Sequence, residues 1–285
     1  MRVLFSLVDV FTPEPFAGNQ LCVIPEPPTG LDSAAMQMLA QEIGFSETTY
    51  VTAIRDDGYD VRIFTPIEEL PFAGHPTLGT AFVLAERGLV PANLVQTSAA
   101  GDVPVVVDLD DGTATMRQLP PTFGEPFTDR EAVGQAAGLR ANELGRQPFV
   151  PVSTGIAHLM VPVVSEETLR RASRNDRGCA EVTEAANAES LYLFAIRGDG
   201  EVIARMFDRS IQIGEDPATG SAAGPLGVYL AEHRLGGMPG HITIAQGEMV
   251  GRASFLQVDV ERGDAGWVAH VGGGVRIVGE GSFRL

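Results

Sequence analysis

The chain has 285 residues, 44% hydrophobic and 20% charged, with 33 glycines and 19 prolines, a turn-rich globular composition long enough for two ordinary domains and unlike a disordered chain. Thirty-seven acids against 20 Lys and Arg leave a formal charge of -17, which disfavours phosphate backbones and anionic lipid as partners. In chain order, VLFSLVDV reads as a first strand and not as a secretory signal. LDSAAMQMLAQEIG, from Leu31, reads as an amphipathic helix stopped by Gly44. TYVTAI, YDVRIF, DVPVVVDL, TATMRQL, LYLFAI, EVIARMF, SFLQVDV and WVAHV follow as short strands. Asp57-Gly58, Asp111-Gly112 and Asp199-Gly200 stand between such runs, where the pair supplies the positive φ of a tight hairpin. Between them, TLGTAFVLAERG has no charge before Glu86 and asks to be enclosed, while TDREAVGQAAG offers Thr128 and Glu131 as a capping box.

No run is long and apolar enough to span a bilayer, and no nucleic-acid or membrane role is expected. Cys22 and Cys179 lack metal-ligand spacing, no His/Cys/Asp cluster suggests a metal, and a reducing cytoplasm is the expected setting.

An internal repeat organises the chain. His75-Pro76-Thr77-Leu78-Gly79-Thr80-Ala81 matches Asp216-Pro217-Ala218-Thr219-Gly220-Ser221-Ala222 as [HD]-P-x-x-G-[ST]-A, 141 residues apart. Upstream of the copies stand Arg62-Ile63-Phe64 and Arg205-Met206-Phe207; downstream, apolar helices carry Leu84-Ala85-Glu86 and Leu230-Ala231-Glu232. The expectation is an α+β fold of two similar domains related by internal duplication, each a barrel-like, mainly antiparallel sheet around a central helix. The expected domains are 1–125, with a final strand near 278–285 returning to it, and 126–285, facing each other across a cleft. Helix starts with proline and small residues leave first-turn amides open to an anion such as a carboxylate or an enolate.

VDVFTPEPFAGN, GFSETTYV, RIFTPIEELPFAGHPTLGTA, EDPATGSAAG, and QGEMVGRAS followed by VGGGVRIVGEG resemble, in order and over nearly the whole chain, the PhzF phenazine-biosynthesis-like isomerases of the diaminopimelate epimerase superfamily. The resemblance implies a diaminopimelate epimerase-like fold, no cofactor, a homodimer and an active site between two domains. It implies Glu47 as general acid/base, His75, Asp216 and Ser221 as polar catalytic groups, and Asn19, Gly74, Thr219, Gly220 and His158 as substrate-binding positions. The reaction implied is the movement of a proton on a small carboxylate-bearing substrate, for which one carboxylate can both take and return the proton. The two-thiol epimerase chemistry of the wider superfamily is not expected, because LPFAGHP and GEDPATG hold no cysteine.

The residues also admit blander readings. Glu47 between Ser46 and Thr48 reads equally as a solvated turn acid, His75 as a helix-start histidine, Asp216 as a helix cap, Ser221 as a packing residue and His158 as a strand histidine. His233 and His241 read as surface residues. STGIAH replaces the S/N-T-G-N-P-H of the family at residues 153–158, Gln20 follows Asn19 where proline is common, and Pro225 threatens to kink the second repeat's helix. The alternative function is a non-catalytic binding or interaction protein; a nucleotide enzyme is disfavoured, since VGGGVRIVGEG lacks the G-x-G-x-x-G spacing.

Overall fold

The computed structural model describes residues 2–27, 30–198, 200–235, 240–264 and 266–285. The chain divides into two compact units, residues 1–117 with 272–285, and residues 118–271.

The first unit contains β1 (Arg2–Val10), β2 (Asn19–Ile24), α1 (Ser33–Ile43), β3 (Glu47–Arg55), β4 (Gly58–Phe64), β5 (Glu69–Leu70), α2 (Gly74–Glu86), β6 (Asn93–Ser98), β7 (Gly101–Asp108) and β8 (Thr113–Arg117). The second contains β9 (Thr122–Phe123), α3 (Arg130–Ala136), β10 (Val150–Ser153), β11 (Ala157–Pro162), α4 (Glu166–Arg171), α5 (Asp176–Ala185), β12 (Ser190–Gly198), β13 (Glu201–Asp208), β14 (Glu215–Asp216), α6 (Gly220–Glu232), β15 (His241–Gln246) and β16 (Ser254–Gly263). The last strand, β17 (Gly266–Arg284), begins in the second unit and ends in the first.

In the first unit the strands close into an eight-strand barrel, β1-β2-β3-β4-β6-β7-β8-β17 and back to β1. Two of its pairings, β2 with β3 and β4 with β6, are parallel, and each encloses a helical crossover. Alternation fixes which face looks inward: on β7, Val103, Val105 and Val107 are buried while Val106 is exposed. The barrel interior is filled by α2, buried from Gly74 to Ala85, because its apolar residues run round the whole cylinder and a helix of that kind is stable only when surrounded. Gly79 permits the approach, since a Cβ there would lie 2.6 Å from the Leu21 side chain on β2. Helix α1, capped by Asp32 and stopped by left-handed Gly44, covers the outside of β3 and β4 with Met36, Leu39 and Ala40.

In the second unit the ladder runs β9-β10-β11-β12-β13-β15-β16-β17, with β11–β12 and β13–β15 parallel. Helix α6 is buried from Gly220 to Leu230 and packs on β10, β11 and β16. It runs through Pro225 without ending. Helices α3, α4 and α5 join a separate apolar cluster with Leu159, Val161, Leu191 and Phe207.

Both units share one local wiring: a strand, a two-residue antiparallel strand, a buried helix, and a strand parallel to the first. An arginine on the first strand grips a glutamate on the two-residue strand in both, Arg62 with Glu69 and Arg205 with Glu215. Each guanidinium also lies over a ring two residues on, Phe64 at 5.0 Å and Phe207 at 4.8 Å. Bidentate pairs of this kind pin the strand that delivers the helix start.

Several sequence expectations need correction. The cap of α3 is Asp129, which accepts from Ala132 N at 2.9 Å, and not the Thr128/Glu131 box. Asp216 is not the cap of α6: the N-cap is Thr219, and Asp216 sits on β14. Helices α4 and α5 were absent from the sequence reading; Ser165 and Asn175 cap them, so the start signals existed without a long apolar stripe behind them. Gly112 (φ 65°) and Gly200 (φ 76°) take the expected left-handed backbone; Asp199 lies outside the described residues. Gly58 does not take it.

Gly58 has a different reason to be glycine. It pairs with Val95 on the parallel neighbour β6, and a Cβ there would overlap the Val95 carbonyl, which belongs to the ladder and cannot move aside. Gly58→Ala should therefore destabilise the protein by roughly 2 kcal/mol or more, read as a fall in the urea midpoint at unchanged slope. An unchanged midpoint would show that β4 and β6 separate freely here.

Candidate active site

Three element starts meet at one end of the first unit. Asn19 opens β2, Glu47 opens β3 and His75 lies in the first turn of α2. The parallel register sets Glu47, the first residue of β3, opposite Leu21, two residues after Asn19 on β2. Asn19 follows a tight loop in which Phe11 (φ 67°) and Phe16 (φ 68°) take left-handed backbone, an unusual conformation for a bulky residue. The Phe16 N–H is tied to Asp9 Oδ2 at 2.6 Å, so the loop is anchored as well as bent.

The side chains form a chain of contacts. Ser46 Oγ donates to Asn19 Oδ1 (3.0 Å), and the Asn19 amide lies 3.2 Å from His75 Nδ1. His75 Nε2 lies 3.2 Å from the Gln20 carbonyl and 3.3 Å from Glu47 Oε2. Because Ser46 orients the Asn19 carbonyl, the Asn19 NH₂ donates to Nδ1, and the ring carries its proton on Nε2, which donates to the Gln20 carbonyl with the Glu47 carboxylate alongside. Glu47 is 15% exposed while His75 is 4% exposed. The carboxylate is thus the accessible member, and the imidazole is the buried one that orients it. No side chain caps the start of α2, whose N-cap is Ala73, so backbone N–H groups define its mouth.

In the second unit, Asp216 Oδ2 accepts from Thr219 Oγ1 at 2.6 Å, and Gln246 Nε2 donates to the Asp216 carbonyl (2.8 Å) and to Thr219 Oγ1 (3.0 Å). Tyr192 OH donates to Gln246 Oε1 (2.9 Å), so a buried tyrosine fixes the amide that fixes the loop. Gln118 supports the same helix start, donating to the Gly220 carbonyl at 2.8 Å and accepting from Thr154 Oγ1 at 2.8 Å. His158, on β11, lies between two hydroxyls, with Nδ1 2.8 Å from Ser190 Oγ and Nε2 3.0 Å from Ser221 Oγ. Burial pushes its imidazole down to about 3, so the ring is neutral at physiological pH.

The structure thus groups Asn19, Glu47, His75 and the Gly74 backbone in the first unit, and Asp216, Thr219, Gly220, Ser221 and His158 in the second. Sequence reading passed over Ser46, Ser190, Gln118 and Gln246, and the Arg62/Glu69 and Arg205/Glu215 clamps. The doubled Arg-x-Phe was a visible signal for the clamps; nothing local marks Ser190 or Gln246, whose partners are distant in sequence. His241 is exposed and pairs with Asp259 at 2.8 Å.

The cysteines lie away from both helix starts. Cys22 is on β2 in the α1-facing cluster and Cys179 is on α5. Burial raises their thiols to about 12 and about 11. Both should resist alkylation at mildly alkaline pH until the protein unfolds, and Cys22→Ala with Cys179→Ala should leave turnover intact. Fast labelling of the native protein would contradict the burial. Among the described residues, no group of three or more His, Cys, Asp or Glu side chains is placed to hold a metal ion, and no helix is long and apolar enough to cross a membrane.

Comparison with solved structures places this architecture. A phenazine biosynthesis protein of the PhzF family from Bacillus anthracis matches all of both chains with a TM-score of 0.89 at 26% identity. The class is therefore that of α+β enzymes of epimerase-like fold. The sequence profile of the family described as Phenazine biosynthesis-like protein matches residues 8–281, and the chain belongs to that family. An uncharacterized isomerase of Clostridium acetobutylicum is 33% identical, aligned over 89% of this chain and 88% of its own. The trans-2,3-dihydro-3-hydroxyanthranilate isomerase of Pseudomonas aeruginosa is 34% identical over 90% of each chain. This protein is an isomerase, and the non-catalytic reading is not retained.

Proposed function

We propose that the protein moves a proton between carbons of a small carboxylate-bearing substrate, without a cofactor, using Glu47 as the acid/base. The observation that carries this reading is the contact of the accessible Glu47 carboxylate with the Nε2 edge of buried His75, whose Nδ1 edge is held by Asn19. A base that must return the same proton needs a fixed position and little solvent around it, and this contact supplies both. The relatives' activity on a dihydro-hydroxyanthranilate suggests a cyclic carboxylic acid as the first substrate to try.

In this reading Glu47 removes a proton from the carbon, and charge spreads onto an oxygen conjugated with the resulting carbanion. Backbone N–H groups at the start of α2, where no side chain caps the helix, stabilise that oxygen, and Glu47 then returns the proton at another carbon. His75 and Asn19 hold the groups around the carboxylate in place. The matching wiring of the two units supports the view that one ancestral unit was doubled. The test is incubation with trans-2,3-dihydro-3-hydroxyanthranilate in deuterium oxide, with and without prior EDTA treatment, following deuterium on carbon by NMR. Isomerisation with label incorporation, unchanged by EDTA, is expected. Loss of turnover on EDTA treatment would remove the cofactor-free reading.

A further inference from the structure

The second unit contains a relay that the reaction scheme above leaves without a role. His158 and Ser190 are register partners on parallel strands β11 and β12, which sets their side chains next to each other on one face of the sheet. The other edge of the imidazole meets Ser221, the second residue of α6. Exposures of 2% for His158, 0% for Ser190 and 7% for Ser221 keep competing water from the ring.

A neutral imidazole has one donor and one acceptor, so two arrangements compete. In one, Ser190 donates to Nδ1 and Nε2–H donates to Ser221. In the other, Nδ1–H donates to Ser190 and Ser221 donates to Nε2. Among the described residues, the His158 ring is the hydrogen-bond partner of the Ser190 side chain. The second arrangement would leave the Ser190 hydroxyl proton stranded in a fully buried place, and a buried donor without an acceptor is costlier than a spare lone pair. The first leaves the Ser221 oxygen accepting from the ring, with its own proton turned away from the ring. A chain in which each hydroxyl or N–H donates onward strengthens the last donor.

We propose that Ser190, acting through His158, holds Ser221 as a hydrogen-bond donor to an anionic oxygen of the substrate. Ser190 and His158 are then positioning residues, and Ser221 is the group that touches the ligand, beside the open first-turn N–H groups of α6. This rests on the proton-transfer reading for the identity of the oxygen, but not for the direction of the relay.

Two measurements separate those claims. The first is ¹⁵N NMR of the histidine-labelled wild-type protein, with His158→Gln used to assign the signals. His158 should be neutral with its proton on Nε2, and a proton on Nδ1 overturns the relay whatever the protein catalyses. The second uses trans-2,3-dihydro-3-hydroxyanthranilate. Ser190→Ala should lower kcat/KM on the order of tenfold, Ser190→Thr should restore most of it, and Ser190→Ala should have no further effect in a Ser221→Ala background. Equal losses in both backgrounds would make Ser190 a packing residue and overturn the proposal. If that substrate is not turned over, the choice of substrate fails while the NMR result still decides the relay.

Discussion

Glu47→Gln is expected to lower kcat for isomerisation, and the rate of deuterium incorporation from solvent, by about 10²–10⁴-fold, with KM changed little. The amide matches the carboxylate in shape, and the His75 ring stays held by Asn19 and the Gln20 carbonyl, so the fold around it survives. What is lost is the ability to take a proton. Glu47→Asp keeps that ability but withdraws the carboxylate by one methylene, and misplacement on that scale costs roughly 10²-fold. Together the two variants separate chemistry from position: Gln should be inactive at every pH, whereas Asp should retain a slow reaction. Incorporation at the wild-type rate in Glu47→Gln would remove Glu47 from the mechanism and transfer the search for a base to Asp216.

The second large effect is on stability in acid. The His158 imidazole is pushed from its ordinary value of 6.5 down to about 3 by burial, so the native state excludes a proton that the unfolded chain accepts. Stability from this group is complete above pH 6.5 and falls as pH drops towards 3, by an amount on the order of 5 kcal/mol at about 1.36 kcal/mol per pH unit. Asp208, on β13 opposite Ser190, works in the other direction. Burial, against the pull of the Ser210 N–H, lifts its carboxyl from 3.8 to about 6. The native state therefore takes up a proton before the unfolded chain does, and stability returns as pH falls from 6 to 3.8, by up to about 3 kcal/mol. The two slopes, equal in size and opposite in sign, cancel in that window.

The single tryptophan, Trp267, belongs to the second unit and reports its urea unfolding by fluorescence. Asp208→Asn should uncover a loss of stability with acid between pH 6 and 3.8, and His158→Gln a gain there. A midpoint in His158→Gln that falls with acid in that window would show that another group controls the second unit.

Most of the chain's strands were legible because each carries its own alternating run, as VPVVVD and SFLQVDV do. The enclosed helices were legible because TLGTAFVLA and its partner after Ser221 have no polar face to present to water. Strands β2, β11 and β15 were not legible because NQLCVI, AHLMVP and HITIAQ are short and each is covered by a neighbour brought in by a parallel crossover, and β10 because VPVS has only 4 residues. The reading of Asp216 as a helix cap failed for a related reason. Asp-Pro is a common helix start, but pairing with Met206 holds Asp216 in a strand, and the helix begins four residues later.

The sequence by itself determined most of the strands, the enclosed helices and the repeated [HD]-P-x-x-G-[ST]-A motif, because periodicity and residue chemistry are local properties, while Glu47, His75, Asp216 and Ser221 stood out as catalytic groups only through the family resemblance. Only the tertiary structure decided which side chains set their protonation and aim. Ser46 reaches His75 through Asn19, and Ser190 reaches Ser221 through His158, across 63 residues between ring and hydroxyl. A proton's position on an imidazole depends on which donor lies within about 3 Å of which nitrogen. That distance is fixed by strand register and packing, which no stretch of sequence encodes alone.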